Sequence, residues 1–183
     1  MILFILPSFA AGGAERVMLN LLICLHNRGH RVSLIVLKNM GPLKNEIPKS
    51  INVVDLKTNR LFYSIKPLFT IIKNLKPEIV FSSSGHLNLV LVFIRPLLSH
   101  RLKIWIREAN LPSLSLKNNP HSYLLWIGYF CLYRFADRLI CSSSRMEQEF
   151  IETFKIPNSI INYLPNPVDE SKILVIRKKK LIL

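Results

Sequence analysis

Acidic residues are scarce in this chain: 11 Asp and Glu stand against 25 Lys and Arg in 183 residues, a formal charge of +14. An acidic or neutral surface is excluded, and the molecule is drawn toward phosphates, nucleic acid or anionic membrane. Cysteine is also scarce. Cys24, Cys131 and Cys141 are odd in number, lie in apolar runs and show no C-x-x-C spacing, which argues against a disulfide framework and predicts buried thiols in a reducing compartment. No uncharged stretch exceeds 16 residues, and the one over residues 118 to 133 opens on NNPHS, short of the roughly 20 apolar residues a membrane-spanning helix needs. The opening MILFILPSFAAG has no basic segment before its apolar run, and Pro7 interrupts that run, so it reads poorly as a secretory leader. Two phosphate-binding signatures are missing as well. There is no G-x-G-x-x-G with an acidic residue at the end of a second strand, where Lys38 and Asn39 stand, and no G-x-x-x-x-G-K-[ST], so dinucleotide binding and P-loop hydrolysis are not expected. Asp55, Asp137 and Asp169 form no D-x-D pair, and no divalent metal is expected within this chain.

What the chain does have is hydrophobic content, 50% of its residues, enough for one domain with a real core. Apolar runs of strand length alternate with helical patterns. ILFIL (residues 2 to 6) precedes a helix over 14 to 28 closed by Gly29, and RVSLIVL (31 to 37) and INVVDL (51 to 56) are β-rich. A helix follows over 64 to 75 with Pro67 in its first turn, then a strand at 79 to 83, a helix at 86 to 98 and a strand at 103 to 108. The last round is a helix over 123 to 136, a strand at 138 to 142, a helix at 144 to 154 and a strand at 160 to 164. Strands apolar throughout, with helices between them, predict an α/β fold, a doubly wound, Rossmann-like parallel sheet covered on both faces.

In such a sheet ligands bind outside the carboxyl ends of the strands. The segments that matter are therefore 8 to 13, 82 to 88, 107 to 113 and 142 to 145. Gly12 and Gly13 follow the first strand and precede a helix whose first residues, Ala14, Glu15 and Arg16, leave backbone N–H groups without helical partners. Bare glycine backbone lets a phosphate or carboxylate approach those donors and the positive end of the helix dipole. The same pair also serves a tight turn and close packing of helix on strand. His86 either caps a helix or faces a ligand. Arg107 and Glu108 are adjacent on a strand and point to opposite faces, so they do not read as a mutual ion pair. His26 and His30 straddle a helix end and do not read as a metal pair. Ser142 to Ser144 read as a helix cap, with no base beside them to make a nucleophile.

LPSFAAGGAERVMLNLLICLHNRGHRVSLIVL (6 to 37) resembles the amino-terminal signature of family 4 glycosyltransferases, retaining enzymes of the GT-B fold. KPEIVFSSSGHLN, WIREANLPS, ADRLICSSSRMEQEF and IPNSIINYLPNPVD extend the resemblance in family order to residue 169. It implies an acceptor-side domain over residues 1 to 165 and an interdomain linker with a basic tail over 166 to 183. It also implies a loop at Gly12 and Gly13 that meets the diphosphate of a nucleotide-sugar donor, and a polar cluster of Arg107, Glu108 and Asn110 facing the reacting sugar, with Arg107 and Glu108 as the catalytic candidates. Glu15, Arg16, His86, Asn88 and Asn110 fall where relatives line the acceptor side, and Asn166 and Pro167 match the linker phrase.

One departure from the family is large. Its second domain holds the nucleotide-sugar and carries two glutamates eight positions apart; no such pair occurs here, and 14 residues follow Asp169. A second α/β domain needs on the order of 100 residues. The expectation is a fragment, a split subunit or a truncated product, inactive without a separately encoded second half. The resemblance further implies a lipid-linked or polysaccharide acceptor and a cytoplasmic protein at the inner membrane face, where anionic lipid would attract the basic excess. YLLWIGYFCLY (123 to 133) either rests at that interface or covers the sheet. The rival reading is a noncatalytic basic module for phospholipid or nucleic acid. Nucleic acid is disfavoured because the aromatics lie inside apolar runs, away from basic residues.

Overall fold

The computed structural model describes residues 1 to 58, 60 to 117 and 120 to 166. Seven strands form one all-parallel sheet in the order β3-β2-β1-β4-β5-β6-β7. In chain order these are β1 (Ile2–Leu6), β2 (Val32–Val36), β3 (Asn52–Asp55), β4 (Ile79–Ser82), β5 (Lys103–Arg107), β6 (Arg138–Cys141) and β7 (Ile161–Tyr163). The connecting helices are α1 (Gly13–Asn27), α2 (Leu61–Leu75), α3 (Gly85–Ile94), α4 (Pro112–Lys117), α5 (Ser122–Leu132) and α6 (Ser144–Glu152). The chain winds outward from β1 to β3, then crosses back to lay β4 on the other side of β1. A crevice opens where that order reverses, outside the carboxyl ends of β1 and β4.

The continuous apolar strands are explained by what they face. In β1, Leu3 and Ile5 pack into one buried layer while Phe4 and Leu6 pack into the other. Each such side chain contributes about 1.5–3 kcal/mol when fully buried, and the alternation leaves neither face for water. α1 ends as expected: Gly29 takes φ +84° and its N–H reaches the His26 carbonyl at 2.9 Å.

Several boundaries differ from expectation. α2 starts at Leu61, three residues early, so Pro67 lies inside the helix and not in its first turn. Leu61, Ile65, Leu68 and Ile72 share one stripe packed on the core, and that packing outweighs the amide hydrogen bond Pro67 cannot make. α3 stops at Ile94 instead of 98, because Pro96 has no N–H, and continues as a 3-10 turn over Arg95–Leu97. α5 likewise gives way to a 3-10 turn at Tyr133–Phe135. Neither α4 nor the 3-10 turn Pro42–Glu46 was expected.

The cysteine expectation is corrected in two of three cases. Cys141 on β6 is buried, but Cys24 and Cys131 are exposed on helix surfaces. Apolar neighbours in sequence do not bury a residue whose helical position faces outward. Val168, Asp169, Pro167 and the basic tail lie outside the described residues.

Candidate functional site

Five of the buried polar side chains gather at one place: Ser82, Ser83, Asn88, Arg107 and Glu108, at and just beyond the carboxyl ends of β4 and β5. Burial of such groups is costly unless they are bonded, and most of them are. Arg107, 3% exposed, donates to Ser83 Oγ at 2.9 Å and to Asn166 Oδ1. Glu108, 4% exposed, accepts from Asn88 Nδ2 at 2.8 Å and from the Tyr133 hydroxyl. Asn88 Nδ2 also donates to the Arg107 carbonyl at 3.0 Å, so one amide fixes both the carboxylate and the strand end that carries it. Arg107 and Glu108 take separate partners, as their alternation along the chain predicts.

The electrostatics follow from burial. Desolvation pushes the Glu108 carboxyl up to about 7, against the pull of Tyr133, Asn88 and Arg107 in the other direction. Desolvation also lowers Arg107, with Glu108 opposing it. Burial raises both tyrosines, Tyr129 and Tyr133, and the nearby Glu108 charge raises them further. The rings of Tyr129 and Tyr133 meet edge-on at 4.8 Å and lean on Phe150, which holds the Tyr133 hydroxyl on Glu108. An acid that titrates near neutrality and lines a cleft is suited to exchanging a proton or a hydrogen bond with a hydroxyl.

These groups form one wall of a cavity of about 550 Å³, lined also by Gly13, Ala14, Glu15, His86, Asn110 and Asn166. Gly13 has open space where a side chain would stand. Gly12 is the extended residue before α1, and the Glu15 carboxylate lies over it, 2.2 Å from where a Cβ would sit. A side chain on Gly85 would press on the Tyr129 hydroxyl at 3.3 Å and stand 3.5 Å from Glu108 Oε1. The glycine loop is braced from behind: Gly41, at φ +127°, brings its Cα against the Phe9 carbonyl, 2.1 Å from an added Cβ. The amides of Phe9 and Leu43 complete the brace through Met40 O at 2.9 Å and Phe9 O at 3.2 Å.

The structure thus brings Gly13, Glu15, His86, Arg107, Glu108, Asn110 and Asn166 to one cavity. It does not bring Arg16, whose guanidinium turns to Glu46 at 3.2 Å on the outer surface. Asn88 is fully buried behind the wall, so it reaches the cavity only through Glu108. Ser143 caps α6 through Met146 N at 3.2 Å, and His26 pairs with Ser50 Oγ at 2.8 Å; among the described residues no cluster suited to a metal occurs. Sequence reasoning placed Ser83 only within the segment 82 to 88 and missed Tyr129, Tyr133 and Ser115 among the residues of the cavity and its support. The signal for the first two was a pair of tyrosines four apart on an otherwise apolar helix.

Residues 11 to 172 match the family model Glycosyltransferase Family 4. Among solved structures, the chain is similar to a glycosyltransferase from Rickettsia africae (19% identity, TM-score 0.63, covering 98% of this chain and 49% of that one). It is also similar to the lipopolysaccharide outer core galactosyltransferase WaaB (18%, TM-score 0.66, 91% and 46%). A third likeness is to sucrose-phosphate synthase from Thermosynechococcus elongatus (12%, TM-score 0.70, 95% and 52%). At these identities the likeness shows the fold. The chain spans about half the length of each. No curated protein gives a match.

Proposed function

The chain belongs to glycosyltransferase family 4, and from that premise we propose that residues 1 to 165 form the acceptor-side half of a transferase that moves a sugar from a nucleotide-sugar to a lipid-linked or saccharide acceptor. The observation that carries this reading is the single cavity holding Gly13, His86, Arg107, Glu108 and Asn110. Gly13 and the first amides of α1 meet the donor diphosphate. Arg107 supplies positive charge where the diphosphate departs. The glycosidic C–O bond to phosphate breaks with its electron pair on the phosphate oxygen, the acceptor oxygen bonds the anomeric carbon, and the hydroxyl proton passes to that phosphate. Glu108 holds the acceptor hydroxyl in line, and Asn88 and Tyr133 hold Glu108. Glu15, His86 and Asn110 complete the acceptor rim.

In this proposal Asn166, clipped to Arg107, and Pro167 lead toward a second domain that holds the nucleotide and closes the cleft, expelling water. Residues 1 to 165 alone form one wall of it and do not turn over. The protein works at the cytoplasmic face of a membrane. In support, the charge is +14, and no described helix is long and apolar enough to cross a membrane.

The test mixes the purified chain with radiolabelled nucleotide-sugars and membrane extract, with and without a donor-binding half supplied separately. Label should enter the acceptor only with both halves, and Glu108→Gln should reduce transfer about 100-fold. Transfer by the chain alone, or by Glu108→Gln at the wild-type rate, would refute the assignment.

A further inference from the structure

Arg107 is a buried charge held by neutral partners. Its guanidinium, on a residue only 3% exposed, donates to Ser83 Oγ on one side and to Asn166 Oδ1 on the other. Among the described residues no ion pair includes it, although a cation taken out of water is ordinarily matched by a carboxylate. Glu108 stands beside it in the chain and its charge favours the charged guanidinium, yet Glu108 Oε1 accepts from Asn88 and Tyr133 instead. The positive charge is thus fixed in place without being neutralised, in a cavity that both Arg107 and Asn166 line.

The two acceptors differ in what carries them. Ser83 follows β4 directly and is itself buried, so it moves only with the sheet. Asn166 is exposed and lies past the bond from Leu164 N to the Cys141 carbonyl, 2.9 Å, that ends the β6–β7 pairing among the described residues. Pro165, between them, has no N–H with which to add another. β6 separates β5 from β7 in the sheet, so the bond from Arg107 to Asn166 joins the segment leaving the edge strand to a side chain based two strands inward. Among the described residues Arg107 alone bonds Asn166.

An amide suits this arrangement where its nearest alternatives do not. Its oxygen accepts from a guanidinium and leaves the unit charge intact. A carboxylate in the same place would hold the guanidinium harder and cancel its charge, and a methyl group would leave it free to turn. We infer that Asn166 is a positioning residue: it aims the Arg107 guanidinium into the cleft with its charge uncompensated, and makes that aim depend on where the chain leaving β7 lies. Anion binding at Arg107 and the position of that segment are then coupled in both directions. That the anion is a departing diphosphate rests on the proposed function; the hold on Arg107 does not.

The test uses the full 183-residue chain, uniformly nitrogen-labelled, as wild type, Asn166→Ala and Asn166→Asp, with inorganic pyrophosphate as the probe anion. NMR of the Arg107 side chain should show slow rotation about Nε–Cζ in the wild type and in Asn166→Asp. In Asn166→Ala it should be at least about tenfold faster, for loss of a charge-assisted bond. Calorimetric titration should give pyrophosphate affinity about tenfold weaker in Asn166→Ala and about 100-fold weaker in Asn166→Asp than in the wild type. A merely structural role would rank them otherwise, because the carboxylate preserves the clasp. Pyrophosphate should also shift the Leu164 amide resonance in the wild type and leave it in place in Asn166→Ala. Unchanged rotation in Asn166→Ala, pyrophosphate bound by Asn166→Asp as tightly as by the wild type, or an equal Leu164 shift in Asn166→Ala would each overturn the inference. Rotation that responds as expected, with no pyrophosphate bound by any of the three chains, would count against the donor-phosphate reading and uphold the hold of Asn166 on Arg107.

Discussion

Two hollows sit at opposite ends of the same strands. The one at the carboxyl ends of β4 and β5, about 550 Å³, is walled by Arg107 and Glu108, both buried and both hydrogen-bonded. The one at their amino ends, about 710 Å³, is larger and is floored by Ile72, Pro77, Leu98 and Leu102. Its charged residues, Lys73, Lys76, Glu78 and Arg101, are all exposed, and Glu78 is engaged by the chain's own amino terminus at 2.8 Å. Size does not separate a site from a dent. Polar side chains taken out of water and held in place by other side chains do, because that arrangement costs stability and persists only where something is gained from it.

The sharpest way to break the contrast is at the brace behind the glycine loop. Gly41→Val places a β-branched residue at φ +127° with its Cβ against the Phe9 carbonyl, and should cost about 3–5 kcal/mol of stability in denaturant titration. Next comes pH. The Glu108 carboxyl sits near 7 in the fold against 4.5 as its ordinary value, so the folded chain holds a proton that the unfolded chain releases. Its contribution is present in full below pH 4.5 and is lost as pH rises through 7, by about 3 kcal/mol. Urea titrations across that window should show the fall, and Glu108→Gln should flatten it.

A smaller effect is expected from Tyr133→Phe, which removes one of the two side-chain donors on the buried carboxylate and should cost about 1–3 kcal/mol while raising the Glu108 pKa further. That shift can be followed by NMR of a labelled glutamate. The smallest belongs to the other hollow: Lys73→Ala/Lys76→Ala should leave stability within about 0.5 kcal/mol and sugar transfer unchanged. A large effect there would erase the distinction between the two ends.

Much of the fold was legible before the structure because strands buried on both faces must be apolar throughout. β1, β2 and β5 fall where ILFIL, RVSLIVL and KIWIRE place them, and the helix that starts at Gly13 is closed by Gly29 as its pattern requires. The cavity lining was legible in the segments that end or follow a strand: Gly13, His86, Arg107, Glu108 and Asn110 share one cavity. Its support was illegible where helices deliver it. Tyr133 reaches Glu108 across 25 residues, and Asn88 reaches it across 20; neither spacing follows from any local period. Arg16 stood in a matching phrase, but a helical turn of 100° per residue carries it away from Glu15 toward Glu46.

By itself, the sequence determined the parallel α/β layering, the end of the sheet at which the polar cavity opens and the excess of positive charge, since each follows from periodicity, from the parallel topology or from counting. Tertiary structure alone decided that Glu108 is buried and held near neutrality, that Asn88 supports it instead of meeting the cleft, and that one side of an all-apolar α5 is left bare. Those outcomes depend on which elements come to rest against one another, and packing between distant segments leaves no period in the chain to read.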